Sequence, residues 1–255
     1  MSSIINTTTP ESSSPLPNNG LDIVGFENQV NRLQGTEASD SITGGNLGDI
    51  VSGLAGNDTI QGLDGNDQIW GHQNNDLIYG NAGNDTIFGG QGDDKLFGGQ
   101  GKDSIEGNLG NDQIFGNQDN DLIYGNAGND TIFGGQGDDK LFGGQGDDLL
   151  DGNLGKDTLS GDKGNDRLIV KDGGNILTGG AGRDTFEFVF SEDLPETINV
   201  ITDFQLDEDT IVIKGVGEQK DINYDSATGI ISLNNQNILQ LDSGLNIDIN
   251  DLEFI

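Results

Sequence analysis

Residues 35–187 repeat a nine-residue unit without a slip, and a period held through seventeen units decides the architecture before any other feature does. Adjacent copies read GGQGDDKLF (89–97) and GGQGKDSIE (98–106). Glycine opens sixteen of the units, with Val170 the exception. Aspartate holds the sixth place in sixteen, with Asn175 the exception, and the eighth place is apolar in all seventeen, from Ile42 and Val51 to Leu177 and Phe186. One apolar residue in nine cannot line a helix face, which needs two or three at 3.6-residue spacing. Gly, Asn and Asp fill the first six places and favour turns. The last three, as in Thr59–Gln61, Lys95–Phe97 and Thr131–Phe133, predict short strands with the middle side chain turned inward. Each unit therefore reads as a six-residue turn and a three-residue strand. Two units make a coil of eighteen residues, and stacked coils pair residue i with i+18 in parallel, about 4.8 Å apart.

Stacking the coils also stacks the aspartates. Asp40, Asp58, Asp76, Asp94, Asp112, Asp130, Asp148, Asp166 and Asp184 fall in one column, and Asp49, Asp67, Asp85, Asp103, Asp121, Asp139 and Asp157 in the other. Carboxylates one strand spacing apart repel by roughly 1–4 kcal/mol per pair, and a cation between them reverses that sign. Glycine turns at positive φ aim carbonyl oxygens inward. Carboxylate and carbonyl oxygens without His or Cys select a hard cation. Calcium takes six to eight such oxygens in loose geometry, whereas magnesium demands a tight octahedron and keeps its waters. The columns contain eight and six neighbouring Asp–Asp pairs, which predicts about fourteen ions against a formal net charge of −33.

The unit resembles the calcium-binding nonapeptide of repeats-in-toxin (RTX) proteins, G-G-x-G-x-D-x-apolar-x, whose copies stack as a parallel β-helix. GGQGDDKLF (89–97), GGQGDDLLD (143–151) and GGAGRDTFE (179–187) match every fixed place. The resemblance implies an all-β fold, a right-handed parallel β-roll solenoid with Ca2+ between successive turns on each side. It further implies that the sixth-place aspartate bridges two ions and that backbone carbonyls complete the shell. Ala38 and Leu47 replace the fourth-place glycine near the start, and Val170 and Asn175 mark a degenerate unit near the end; Asn74 and Asp119 also replace that glycine but tolerate the left-handed region. With so little apolar material per residue, the roll is expected to fold when the metal binds.

The rest of the chain reads around this array. Residues 1–19, rich in Ser, Thr, Asn and Pro, predict a flexible leader without the features of a cleavable signal peptide. Residues 20–34 predict an N-terminal cap and 188–255 a β-rich C-terminal cap. Strands are expected at Phe186–Phe190, Asn199–Thr202, Thr210–Lys214, Ile230–Leu233 and Ile238–Leu241, with turns at Asp225–Gly229 and Asn234–Gln236. NVITDFQLDEDTIVI (199–213) resembles the D-x-I-x-D-F-x-x-G-x-D-x-I segment that follows many RTX arrays. Asp203, Phe204 and Asp209 match it, Asn199 and Asp207 depart from it, and Asp203 and Asp209 are candidate ligands of a last calcium. The terminal DLEFI resembles the tail of type I secretion substrates, which together with the array predicts a secreted, extracellular protein of a Gram-negative-type bacterium. Net acidity argues against nucleic acid and anionic membranes as partners. No cysteine is present, and no apolar run reaches the eighteen residues of a membrane span.

Catalytic motifs do not emerge. The one histidine, His72, sits in a repeat turn, there is no H-E-x-x-H, and Gly101-Lys102-Asp103 lacks the spacing of a phosphate loop. Ninth-place aromatics (Trp70, Tyr79, Phe88, Phe97, Phe115, Tyr124, Phe133, Phe142) point outward and admit two readings, a ladder of stabilising neighbours or a surface for extracellular polysaccharide or another cell-surface component. The leading expectation is a non-enzymatic calcium-binding roll with a structural or surface role. An adhesin, an accessory module of a polysaccharide-acting enzyme and an ice-binding roll are its rivals, the last weakened by a third place that varies among Ala, Gln, Leu and Asp. Residues 75–101 are identical to 120–146, an offset of five units, so the second copy is expected on the opposite wall.

Overall fold

The computed structural model describes residues 20–190, 194–215, 221–245, 247 and 252–254. The leader reading of 1–19 and parts of the DLEFI tail lie outside them. The described residues hold no helix, and so none long and apolar enough to cross a membrane. From Asp22–Val24 to Ile222–Asp225 consecutive strands alternate between two sheets, of 12 and 13 strands among the described residues. Within each sheet the array strands pair in parallel at an offset of eighteen, as in Ile60↔Ile78 and Ile105↔Ile123. The expected coil and register are thus those observed.

The eighth-place side chains of both sheets meet in one continuous core, each fully buried from Ile42 to Phe186. A β-branched or Leu side chain repeated every coil stacks on its own kind, so the filling stays uniform along the solenoid. The duplicated segment tests the equivalence of the walls. LIYGNA forms a strand at Leu77–Ala82 in one sheet and at Leu122–Ala127 in the other, with the same alternation of buried and exposed positions.

The strands are longer than the sequence reading allows. Most array strands run six residues, from the seventh place of one unit through the third place of the next, as in Thr59–Asp64 and Lys95–Gln100. The true turn is therefore places four to six. Gly, Asn and Gln in places one to three are poor strand formers alone, but each coil offers the next a complete hydrogen-bonding edge, which overrides propensity. From Leu54 to Asp162 the second-place residues accommodate the bend at positive φ, even Leu54 (82°), Leu63 (80°) and His72 (85°). Fourth-place residues from Gly56 to Gly164 do the same. Gly83 has φ 131°, and Asn74 (72°) and Asp119 (71°) take the left-handed region as anticipated.

The ladders also extend past the array at both ends. Asp22–Val24 pairs with Ser41–Gly45 and Arg32–Gln34 with Ile50–Ala55, so residues 20–34 continue the coil. At the other end Asn199–Ile201, Thr210–Lys214, Gln236–Gln240 and Glu253–Phe254 add parallel strands, and an antiparallel meander of Ile222–Asp225, Ile230–Leu233 and Gln236–Gln240 lies on the outer edge. The strands at Ile222–Asp225 and Glu253–Phe254 are absent from the expected set. The others fall within a residue or two of it.

Candidate metal centre

The sixth-place aspartates point into the roll. Each of the sixteen is at most 4% exposed. Asp103 shows the shared arrangement. Its Oδ1 accepts the backbone N–H of Asp85, one coil back, at 2.8 Å, and its own N–H donates to Asp121 Oδ1 at 2.8 Å. Its carbonyl accepts the N–H of Leu122 at 2.9 Å. Its Oδ2 has no partner. The same holds for Oδ2 of Asp58, Asp67, Asp76, Asp85, Asp94, Asp112, Asp121, Asp130, Asp139, Asp148, Asp157, Asp166 and Asp184, fourteen orphaned buried oxygens in two rows. A buried acceptor without a donor costs about 1–3 kcal/mol, more if it carries charge.

The first-place glycine borders this oxygen. A Cβ on Gly98 would lie 2.2 Å from Asp103 Oδ2, and one on Gly107 would lie 2.2 Å from Asp112 Oδ2. The opening glycine is therefore required by close approach. Positive φ, the reason anticipated for the glycines generally, applies to the second and fourth places and not to the first. Burial, the largest cause, drives the orphaned carboxyls upward, with neighbouring aspartates adding to it and a backbone N–H opposing it. Asp103 and Asp112 reach about 7 and Asp76 and Asp121 about 8.

These observations fit a cation. An aligned row of partnerless oxygens, each held apart from water by glycine backbone, is what a bound positive ion would satisfy. Among the described residues no three acidic or imidazole side chains converge on one point. For such an ion the carboxylates alone would not complete a shell, and backbone carbonyls of the turns would have to supply the remainder.

The ends differ. Asp40 has both oxygens occupied, Oδ1 by the Leu21 N–H and Oδ2 by the Thr36 N–H and hydroxyl. Asp49 accepts from Asn31 and from the Gly45 N–H. At the far end Asp209 sits at the next position of the first column, its Oδ1 accepting from Asp184 N–H at 3.0 Å and its Oδ2 from Gln205 N–H at 2.8 Å. Asp203 lies elsewhere, taking the N–H groups of Gly179 and Gly180 at 2.9 and 2.8 Å. Both have each carboxylate oxygen satisfied, which sets them apart from the fourteen.

Two features escaped the sequence reading. Asn31 and Asn199 occupy sixth-place positions at the two ends of the second column, donating to and accepting from their neighbours in the same pattern. Carrying the frame back one unit (26–34) would have found Asn31, with Leu33 in the eighth place; Phe26 where glycine belongs hid it. An outer ladder runs through the fifth place in the opposite sense, with Asn84 N–H donating to Asn66 Oδ1 and Lys102 N–H to Asn84 Oδ1, each at 2.9 Å. The recurrence of Asn and Asp at that place is its sequence signal. His72, exposed, meets only Ser52 Oγ at 3.0 Å.

A comparison with curated proteins gave no match. The RTX calcium-binding nonapeptide repeat family matches residues 28–46, 43–78, 70–105, 106–141, 133–168 and 169–187, which together span well over half of the chain. With the parallel stacked coils and the buried aspartate columns described above, this match shows that the chain belongs to the RTX family of calcium-binding nonapeptide repeat proteins.

Proposed function

We propose that the protein is a non-enzymatic, secreted β-roll that binds about fourteen calcium ions along its two aspartate columns and folds as they bind. The observation that carries this reading is the set of fourteen buried Oδ2 atoms without a hydrogen-bond donor, from Asp58 to Asp184. Asp58, Asp67, Asp76, Asp85, Asp94, Asp103, Asp112, Asp121, Asp130, Asp139, Asp148, Asp157, Asp166 and Asp184 would hold the metal with backbone carbonyls of the adjoining turns. Calcium supplies the positive charge that lets these carboxylates stay ionised away from water. Asp40, Asp49, Asp203 and Asp209, whose oxygens already have donors, play a lesser part as ligands.

Folding is coupled to the ion because the rows are costly without it and each nine-residue unit brings only its eighth-place side chain to the core as a fixed apolar position. Extracellular calcium modules work at about 10⁻⁴–10⁻³ M, so the chain stays open at cytosolic calcium and closes outside. The outer aromatics favour a structural role over glycan capture. Tyr79, Phe97, Phe115 and Phe133 stack face to face at 4.8, 4.8 and 5.0 Å, which leaves their edges, and not their faces, for a ligand. Circular dichroism during a calcium titration and after chelation tests the proposal. A cooperative gain of β signal at millimolar calcium, lost on chelation, is expected; an identical spectrum in both conditions would overturn it.

A further inference from the structure

At both ends of the second column the aspartate gives way to asparagine, and the hydrogen bonds there differ in kind. Asn31 is almost fully buried. Its Nδ2 lies 3.1 Å from Phe26 O, 3.2 Å from Gln29 O, 3.0 Å from Asp49 Oδ1 and 3.2 Å from Asp49 Oδ2. One nitrogen thus sits among four oxygens. Two belong to the carboxylate of the next coil, and two are carbonyls from the first and fourth places of its own turn. This is an oxygen cage of the mixed carboxylate and carbonyl type that a hard cation takes. An amide brings two N–H donors and no charge, so replacing aspartate by asparagine removes a negative charge and supplies partial positive charge at the same place. Asp49, which faces this amide and also accepts the Gly45 N–H at 2.6 Å, has no orphaned oxygen, whereas Asp67 in the following coil has one.

The far end also sets a buried amide among oxygens, here the carbonyl and carboxylate of Asp172 in its own unit and an amide oxygen of the next coil. Asn175 is fully buried, and its Nδ2 donates to Asp172 O, Asp172 Oδ1 and Asn199 Oδ1 at 3.1, 3.1 and 3.0 Å. Asn199, also fully buried, donates through Nδ2 to Asp172 O at 3.1 Å.

We propose that the side-chain amides of Asn31 and Asn175 each stand in for a bound cation, so that the second column is closed at both ends by metal-free rungs. This rests on the reading that the columns between them bind calcium. The amides then set where ion binding starts and stops on that side, and they join the metal-dependent coils to flanking coils that need no ion.

The test counts ions. Native mass spectrometry at saturating calcium gives the number bound, and the slope of unfolding free energy against the logarithm of free calcium gives it independently. The proteins compared are the wild type, Asn31→Asp, Asn175→Asp and Asn237→Asp, the last placing the same charge at an exposed position. Asn31→Asp and Asn175→Asp are each expected to gain one ion with a correspondingly steeper slope, and Asn237→Asp none. Wild type without bound calcium would defeat the reading of the columns themselves. Wild type that binds calcium, together with variants that keep its β spectrum and its ion count, would overturn the amide substitution alone. So would variants that stay unfolded at saturating calcium, because the inference requires an aspartate with its ion to replace the amide. Each residue's role is decided by its own variant.

Discussion

The Cα of Gly98 and the Oδ2 of Asp103 approach so closely that a Cβ on the glycine would lie 2.2 Å from that oxygen. The pair links the first and sixth places of one unit and accounts for their joint recurrence. Gly98→Ala is expected to cost about 1–3 kcal/mol, the range for forcing extra atoms into a packed interior, and to weaken calcium binding at that coil. A Cβ on Gly99 (φ 121°) would fall 2.0 Å from Asn81 O, so Gly99→Asn needs the bend to shift toward the φ of 80°, 79°, 83° and 76° that Asn81, Asn108, Asn117 and Asn126 adopt at the same place, and it is expected to cost less than Gly98→Ala because the coil already accommodates that conformation. Denaturant unfolding at fixed calcium checks the contrast. Equal losses for the two variants would contradict it.

Removing one charge from the middle of a column should act in opposite directions with and without metal. Asp103→Asn lowers the number of bound ions and the stability in calcium. In chelator the same change relieves a buried, partnerless carboxylate, a cost of about 1–3 kcal/mol, and should shift the protein toward the β form. Paired unfolding curves in calcium and in chelator read both signs.

The raised carboxyls fix the pH dependence of the metal-free roll. Asp58, Asp85 and Asp130 lie at about 6, Asp67, Asp94 and Asp103 at about 7, and Asp76 and Asp121 at about 8, all above the ordinary 3.8. A folded state that holds protons more tightly than the unfolded chain is favoured by acid. That stabilisation is complete below about 3.8 and disappears as pH rises through 6 to 8. In chelator, β structure should therefore grow as pH falls from 8 to 5. In limiting calcium the trend reverses, because protons compete with the ion for the same oxygens. Circular dichroism across that range, with and without chelator, separates the two regimes.

The aromatic ladder should matter for stability and not for ion number. Phe115 stacks on Phe97 and Phe133, and the Lys95 ammonium lies 5.4 and 5.7 Å from the ring centres of Phe97 and Phe115. Phe115→Leu gives up two stacks, each worth roughly 0.5–1.5 kcal/mol beyond the area buried. The calcium-loaded midpoint should fall while the ion count stays that of the wild type.

The spacing of Asp and the eighth-place residue made the coil, the register and the two columns legible, because a period of nine leaves few ways to stack. Strand length was not legible. Places one to three of the repeat, such as Gly89-Gly90-Gln91, carry turn formers, and only the edge offered by a neighbouring coil makes them extended. The satisfied state of Asp203 and Asp209 was equally hidden, since it depends on N–H groups of Gly179, Gly180, Asp184 and Gln205 brought in by the fold. The salt bridges of Arg167 and Lys214 to the buried Glu187 likewise join three neighbouring strands of one sheet, of which Arg167↔Thr185 keeps the offset of the repeat and Thr185↔Thr210 departs from it.

The twin LIYGNA strands, one on each wall, carry a hazard as well as an economy. A chain that winds nine residues out of phase still buries isoleucine, still lines up its acids and still closes its ladders. Nothing in the regular units before Val170 rejects that mistake. The proofreading falls to the irregular ends, where Phe26, Asn31 and residues 170–190 and 194–199 fit on one side only. Shortening or shuffling the middle should thus be forgiven more readily than transplanting either terminus.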